Sequence, residues 1–114
     1  MTTIYGIKNC DTMKKALKWL EGNHIEFKFH DYKKDGVNEE LLKQALEEKG
    51  WENVLNKRGT TWRNLPDEQK ESMDDDMAFD VAADNPSIIK RPLLHHNGQI
   101  HIGFSEEAYK KLFV

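Results

Sequence analysis

A single cysteine, Cys10, stands in this 114-residue sequence, which excludes an internal disulfide and suits a reducing compartment. Apolar runs are short as well: none approaches the ~20 residues of a membrane-spanning helix, and the amino terminus lacks the basic and apolar regions of a signal peptide. These absences lead to the expectation of a cytoplasmic chain with no membrane partner. A basic excess is also missing. The formal net charge of -3 argues against a nucleic-acid partner, although Lys8, Lys14, Lys15 and Lys18 cluster locally. No internal repeat and no low-complexity linker interrupts the chain. Its length suits one domain with a real core, 1–114, rather than two, and a monomer is the expectation.

What the sequence does have begins at Cys10. Thr2 to Tyr5 is β-branched and aromatic, and Gly6 permits a sharp turn. From Met13 the apolar residues recur at Met13, Ala16, Leu17 and Leu20, the spacing of one helix face. Cys10 therefore falls at or just before a first helical turn. Unpartnered N–H groups and the positive end of the helix dipole there favour a thiolate. A lone cysteine is commonly a small buried hydrophobe. A packing cysteine would take the Ala16 or Leu17 side of the helix, however, whereas Cys10 lies in the polar turn Lys8, Asn9, Cys10, Asp11, Thr12.

The remaining chain reads as scaffold around this turn. Ile25, Phe27 and Phe29 alternate with Glu26, Lys28 and His30 as a strand, so a βαβ unit with parallel strands is expected. Asn38 caps a helix carrying Leu41, Leu42, Ala45 and Leu46, and Gly50 closes it. From Trp51 to Ser72 periodicity is poor, with a polar loop over Asn56 to Thr61. Asp74, Asp75 and Asp76 precede Met77, Ala78, Val81 and Ala82, which makes them helix-starting carboxylates rather than metal ligands. Ile88 to Leu94 reads as strand, and Asn97-Gly98 is a two-residue hairpin signal that pairs His96 with Gln99 and Leu94 with His101. That register splits the histidines between two faces, so no metal is expected. Ser105 starts a last helix with Ala108, Tyr109, Leu112 and Phe113 inward. The order is an α/β pattern, β-α-β then β-β-α, with a helical insertion at 38–84. It predicts a thioredoxin-like fold with a four-stranded mixed sheet.

These residues resemble a known family. Tyr5-Gly6-x-x-x-Cys10-x-Thr12-x-Lys14-Lys15-Ala16, then Arg58 in a polar loop, Arg91-Pro92 before a hairpin, and Gly103-Phe104-Ser105-Glu106-Glu107 before a helix are similar, in that order, to the arsenate reductase (ArsC) family, above all its YffB and Spx-like branches. The resemblance implies that Cys10 is the nucleophile and that Arg58 and Arg91 are two of the family's three assisting arginines, with Gly103 in place of the third. It also puts Gly6 where the arsenate reductases have a histidine, leaving Lys8 and the helix terminus as local positive influences. Pro92 is implied to be a cis-proline beside the cysteine. Asn9 and Thr12 offer neutral hydrogen bonds to a substrate.

The implied function is a thiol–disulfide oxidoreductase dependent on glutathione. No cofactor is bound, and glutathione or a glutaredoxin is the external thiol that resolves a mixed disulfide no second cysteine can resolve, since Met13 stands where a C-x-x-C motif has its second thiol. Arsenate reduction with an incomplete arginine set is one alternative. An Spx-like regulator that binds RNA polymerase, without enzymatic activity, is the other.

Overall fold

The computed structural model describes residues 1–113. The chain forms two compact units, Met1–Asp35 with Arg91–Val114, and Gly36–Lys90. The first unit is built on a four-stranded sheet. Strand β1 (Thr2–Gly6) lies inside it, parallel to β2 (Lys28–Asp31) and antiparallel to β3 (Leu93–His96), which pairs antiparallel with β4 (Gln99–Ile102), giving the order β2-β1-β3-β4. The β1–β2 crossover is helix α1 (Asp11–Gly22), and α8 (Glu106–Phe113) closes the unit. Between them in the chain come α2 (Tyr32–Asp35), α3 (Glu39–Lys49), α4 (Trp51–Val54), α5 (Thr60–Arg63), α6 (Asp67–Glu71) and α7 (Asp75–Asp84). The mixed sheet flanked by α1 and α8 is the thioredoxin-like arrangement expected from the strand and helix order.

The periodicities explain this unit. Met13, Ala16 and Leu20 on α1 are buried, as the helix-face spacing requires, and they pack with Ile4, Leu94 and Tyr109. Tyr109 meets Phe104 edge-on at 4.8 Å and Trp19 at 5.6 Å. The hairpin register is the one Asn97-Gly98 specifies: His96 faces Gln99 and Leu94 faces His101, with Asn97 and Gly98 both at positive φ (50° and 82°). Two expectations shift. Strand β2 starts only at Lys28, so Ile25 and Phe27 pack against the core from outside the ladder. Ala108 is exposed, which leaves Tyr109 as the buried residue of α8.

The second unit is helical. Asn38 Oδ1 accepts the Leu41 N–H at 3.1 Å, and Asp74 Oδ1 accepts that of Met77 at 2.8 Å, so both expected caps form. Leu41, Leu42, Ala45 and Leu46 face inward, as do Ala78, Val81 and Ala82. Two runs differ from expectation. The aperiodic stretch after Gly50 contains the short helices α4, α5 and α6, so Thr60 and Thr61 are helical and not loop. Ile88 and Ile89 do not extend β3: a 3₁₀ turn over Pro86–Ile88 and one antiparallel bridge, Leu55 to Ile89, bury them instead. Proline at the first position of a helical turn loses no hydrogen bond, which lets Pro86 convert an apolar run into a turn.

Candidate active site

The topology of the first unit gathers chemistry at one end of its sheet. Gly6, the last residue of β1, pairs with Asp31, the last of β2, while Tyr5 pairs with Leu93, the first of β3. The Ile7 to Thr12 turn, Tyr32 and the Arg91–Pro92 pair therefore leave the sheet at the same edge. The Arg91–Pro92 peptide is cis, as the family resemblance implies. The Gly103 N–H donates to the Pro92 carbonyl at 2.9 Å, bringing the end of β4 to the same place.

Cys10 is the N-cap of α1, with an extended backbone (φ -139°, ψ 128°), and its carbonyl accepts the Lys14 N–H at 2.9 Å. The thiol is half-buried. Partial burial alone would push it up. The Met13 N–H, the Arg91 guanidinium as donor, the Thr12 N–H and the Arg91 charge together outweigh that and hold it below its ordinary value. Cys10 thus sits where the free N–H groups at a helix start and the charge of Arg91 favour its thiolate, without a side-chain capping bond to the helix. Lys8, Asn9 and Thr12 are exposed in the same turn; Thr12 contributes its backbone N–H. Pro92 is buried.

Beside Arg91 lies an aromatic cluster. The Tyr5 ring stands 4.9 Å from His30 and 6.4 Å from Tyr32, and burial pushes the Tyr32 phenol far up, with the Arg91 charge drawing it back in part. The phenol is neutral at physiological pH and provides no competing anion for the arginine.

Gly6 is explained by packing. A Cβ built there would stand 2.5 Å from Met13 Sδ, and Met13 is fully buried, so only glycine lets α1 settle this close to β1.

Arg58 belongs to the second unit, in the loop between α4 and α5, and is exposed. Its N–H donates to Asn56 Oδ1 at 3.1 Å and its carbonyl accepts from Arg63 Nη2 at 2.8 Å. In sequence Arg63 reads as a surface or salt-bridging residue; in the fold it is a backbone clasp. The stacked pair Trp51–Trp62 (5.8 Å, 14°), with the Lys57 ammonium 5.0 Å from the Trp51 ring centre, is equally invisible in an aperiodic stretch. A tryptophan on each side of a polar loop is the one signal available. Among the described residues no cluster of His, Cys, Asp or Glu has metal-site geometry, and no helix is long and apolar enough to cross a membrane.

Known proteins resemble this chain in fold or in sequence. The solved structure of the YffB protein superposes with a TM-score of 0.96, at 42% identity over the whole of both chains. An arsenate reductase (ArsC) related protein from Brucella melitensis matches at a TM-score of 0.78 and 46% identity, over 98% of this chain and 93% of that one. A protein of uncharacterised function from Haemophilus influenzae is 51% identical over 99% of both chains. The global transcriptional regulator Spx of Lactiplantibacillus plantarum is 24% identical over 97% of this chain and 85% of its own. The ArsC family profile matches residues 5–112, and the chain belongs to the ArsC family.

Proposed function

We propose that this protein is a single-cysteine thiol–disulfide oxidoreductase that reacts with glutathione disulfides. The observation that carries the reading is the position of Cys10 as the N-cap of α1, at the end of the sheet where the Arg91–Pro92 pair also enters β3. Kinship with arsenate reductase related structures supports oxidoreductase chemistry. In the reaction, the Cys10 thiolate attacks one sulfur of a disulfide. A new S–S bond forms to Cys10, the old one breaks, and the second sulfur leaves as a thiolate that takes a proton from water. With no second cysteine in the chain, an external thiolate, glutathione or a glutaredoxin, attacks the mixed disulfide and regenerates Cys10.

Arg91 lowers the cost of the thiolate and pairs with a carboxylate of the incoming tripeptide. By the family resemblance Arg58 is a second assisting arginine suited to a carboxylate, and Lys8, Asn9, Thr12 and Pro92 are substrate-binding residues. The expected behaviour is a rapid glutathione adduct on Cys10 with oxidised glutathione, read by intact-protein mass, slowed several-fold in Arg91→Ala, absent in Cys10→Ser and removed by reduced glutathione. A native chain that stays unmodified while an ordinary exposed thiol is labelled would sink the reading.

The similarity to Spx regulators over nearly the whole chain supports a second reading, a non-enzymatic regulator that binds the transcription machinery through RNA polymerase. Capture of an RNA polymerase subunit, retained in Cys10→Ser, would favour it over thiol chemistry.

A further inference from the structure

The loop that carries Arg58 is short, polar and exposed, the composition of a mobile connection. It is nevertheless tied down at nearly every backbone position. The Asn56 N–H donates to the Ile88 carbonyl at 2.7 Å, anchoring the loop's first residue to the 3₁₀ turn. The Asn56 side chain turns back to take the Arg58 N–H, and the Asn56 carbonyl takes the Gly59 N–H at 3.4 Å. A Cβ at Gly59 would come within 3.1 Å of Asn56 Nδ2, so a side chain there would press on that amide and shift it by a few tenths of an ångström.

Arg63 closes the other side. Its guanidinium turns back to donate Nη2–H to the Arg58 carbonyl at 2.8 Å, and its own carbonyl accepts from Lys70 Nζ at 3.0 Å. The Trp51–Trp62 stack sets the residue next to Arg63, and the Lys57 ammonium on the Trp51 ring pins the residue before Arg58. Each of these bonds holds the backbone around Arg58 and leaves its guanidinium out of the clasp. Such an arrangement orders a cation in advance and spares the entropy of ordering it when an anion binds.

We propose that Arg63 is a positioning residue, clasping the Arg58 carbonyl so that the 56–59 loop presents the Arg58 guanidinium preformed for the carboxylate of an anionic thiol or disulfide. This rests on the function proposed above, in which Arg58 binds substrate.

The test uses the intact chain with Arg63→Met, which keeps the aliphatic stem and removes the donors, and Arg63→Lys, which restores one. Two readouts are taken: the backbone {1H}-15N heteronuclear NOE at Arg58 and Gly59 without ligand, and the saturation kinetics of adduct formation with oxidised glutathione. Arg63 is exposed, so the fold is expected to persist, as near-UV circular dichroism would verify. The expected result is a fall of the Arg58 NOE in Arg63→Met, with partial recovery in Arg63→Lys. The half-saturating concentration of oxidised glutathione rises about tenfold, the limiting rate staying within about twofold, as when a binding-competent state drops to about a tenth of the population. In an Arg58→Ala background the Arg63 substitution then adds nothing. An unchanged NOE in Arg63→Met overturns the positioning role, whatever the chain's function. A lowered NOE with kinetics unchanged in both Arg63→Met and Arg58→Ala overturns the substrate role of Arg58 and leaves the clasp standing.

Discussion

The two compact units are stabilised internally by different means. In the first, long periodic elements bury a continuous apolar face: Ile4, Met13, Ala16, Leu20 and Leu94 are all 0% exposed. The region of the second unit between Gly50 and Asp74 has only helices of four or five residues, too short to be stable by propensity. There burial of Val54 and Leu55 is supplemented by single interactions, such as the Trp51 N–H on Asp75 Oδ1 at 2.9 Å, the tryptophan stack and the Arg63 clasp. The nucleophile and the cis-proline belong to the unit with the continuous apolar face, Arg58 to the segment of the second unit held largely by single interactions. Burial fixes where a thiolate is stabilised, while individual hydrogen bonds fix how an exposed cation is presented.

That contrast predicts unequal costs. Leu94→Ala removes a fully buried side chain from the centre of the first unit and should cost about 2–5 kcal/mol of unfolding free energy in urea. A cost under about 1 kcal/mol would break the comparison by showing that the first core can collapse around the loss. Gly6→Ala should come next, at about 1–3 kcal/mol, because the added methyl meets Met13 Sδ and a fully buried Met13 has little room to move. Placing the larger histidine of the arsenate reductases there should be worse still. In the second unit, Asp74→Ala removes an N-cap and should cost about 0.5–2 kcal/mol, with the change in denaturation midpoint as the measure.

The same contrast decides what could be read from the sequence. The helix-face spacing of Met13, Ala16 and Leu20, the Asn97-Gly98 turn, and the Asn38 and Asp74 caps are local signals backed by tertiary packing, so the parallel βαβ unit, the hairpin register and the position of Cys10 followed from them. The sheet edge then brought Arg91 to Cys10, which spacing alone does not reveal: most of the chain runs between them, and only the antiparallel pairing of β1 with β3 joins them. Ile88 and Ile89 misled because a buried apolar pair reads the same in a strand and in a 3₁₀ turn. Ala108 misled because its helix stripe is wider than the face α8 buries. Arg63 and Lys57 left no periodic trace, since a side chain that clasps a backbone carbonyl or caps an indole ring obeys no repeat.

The smallest expected effect lies at the far end of the first unit's sheet, away from the Cys10 edge in the strand register. The N-terminal ammonium donates to Asn97 Oδ1 at 3.2 Å, which turns Asn97 Nδ2 toward His96 Nε2, also at 3.2 Å. With a donor facing Nε2, the ring proton belongs on Nδ1, 2.8 Å from Thr2 Oγ1. A second proton on Nε2 would face that NH2 group and the nearby ammonium. Desolvation beside Phe113, whose ring centre is 4.5 Å away, and then the N-terminal charge accordingly hold His96 below its ordinary value. The sign follows. The unfolded chain binds this proton near pH 6.5 while the folded chain does not, so the stabilisation is complete above about 6.5 and is lost as pH falls through the folded value. Cys10 has the same sign in a higher window, its contribution present above about 8.5 and lost as pH falls through its lowered folded value. Cys10 is common to both chains and cancels, so His96 is isolated by comparing melting temperatures at about pH 7 and about pH 5, on either side of the ordinary histidine value, in the native chain and in His96→Gln. The native chain should lose more on acidification, by a small margin because His96 is only partly buried. An equal loss in both would show that the Asn97 relay sets geometry at the hairpin without setting the proton affinity of the ring.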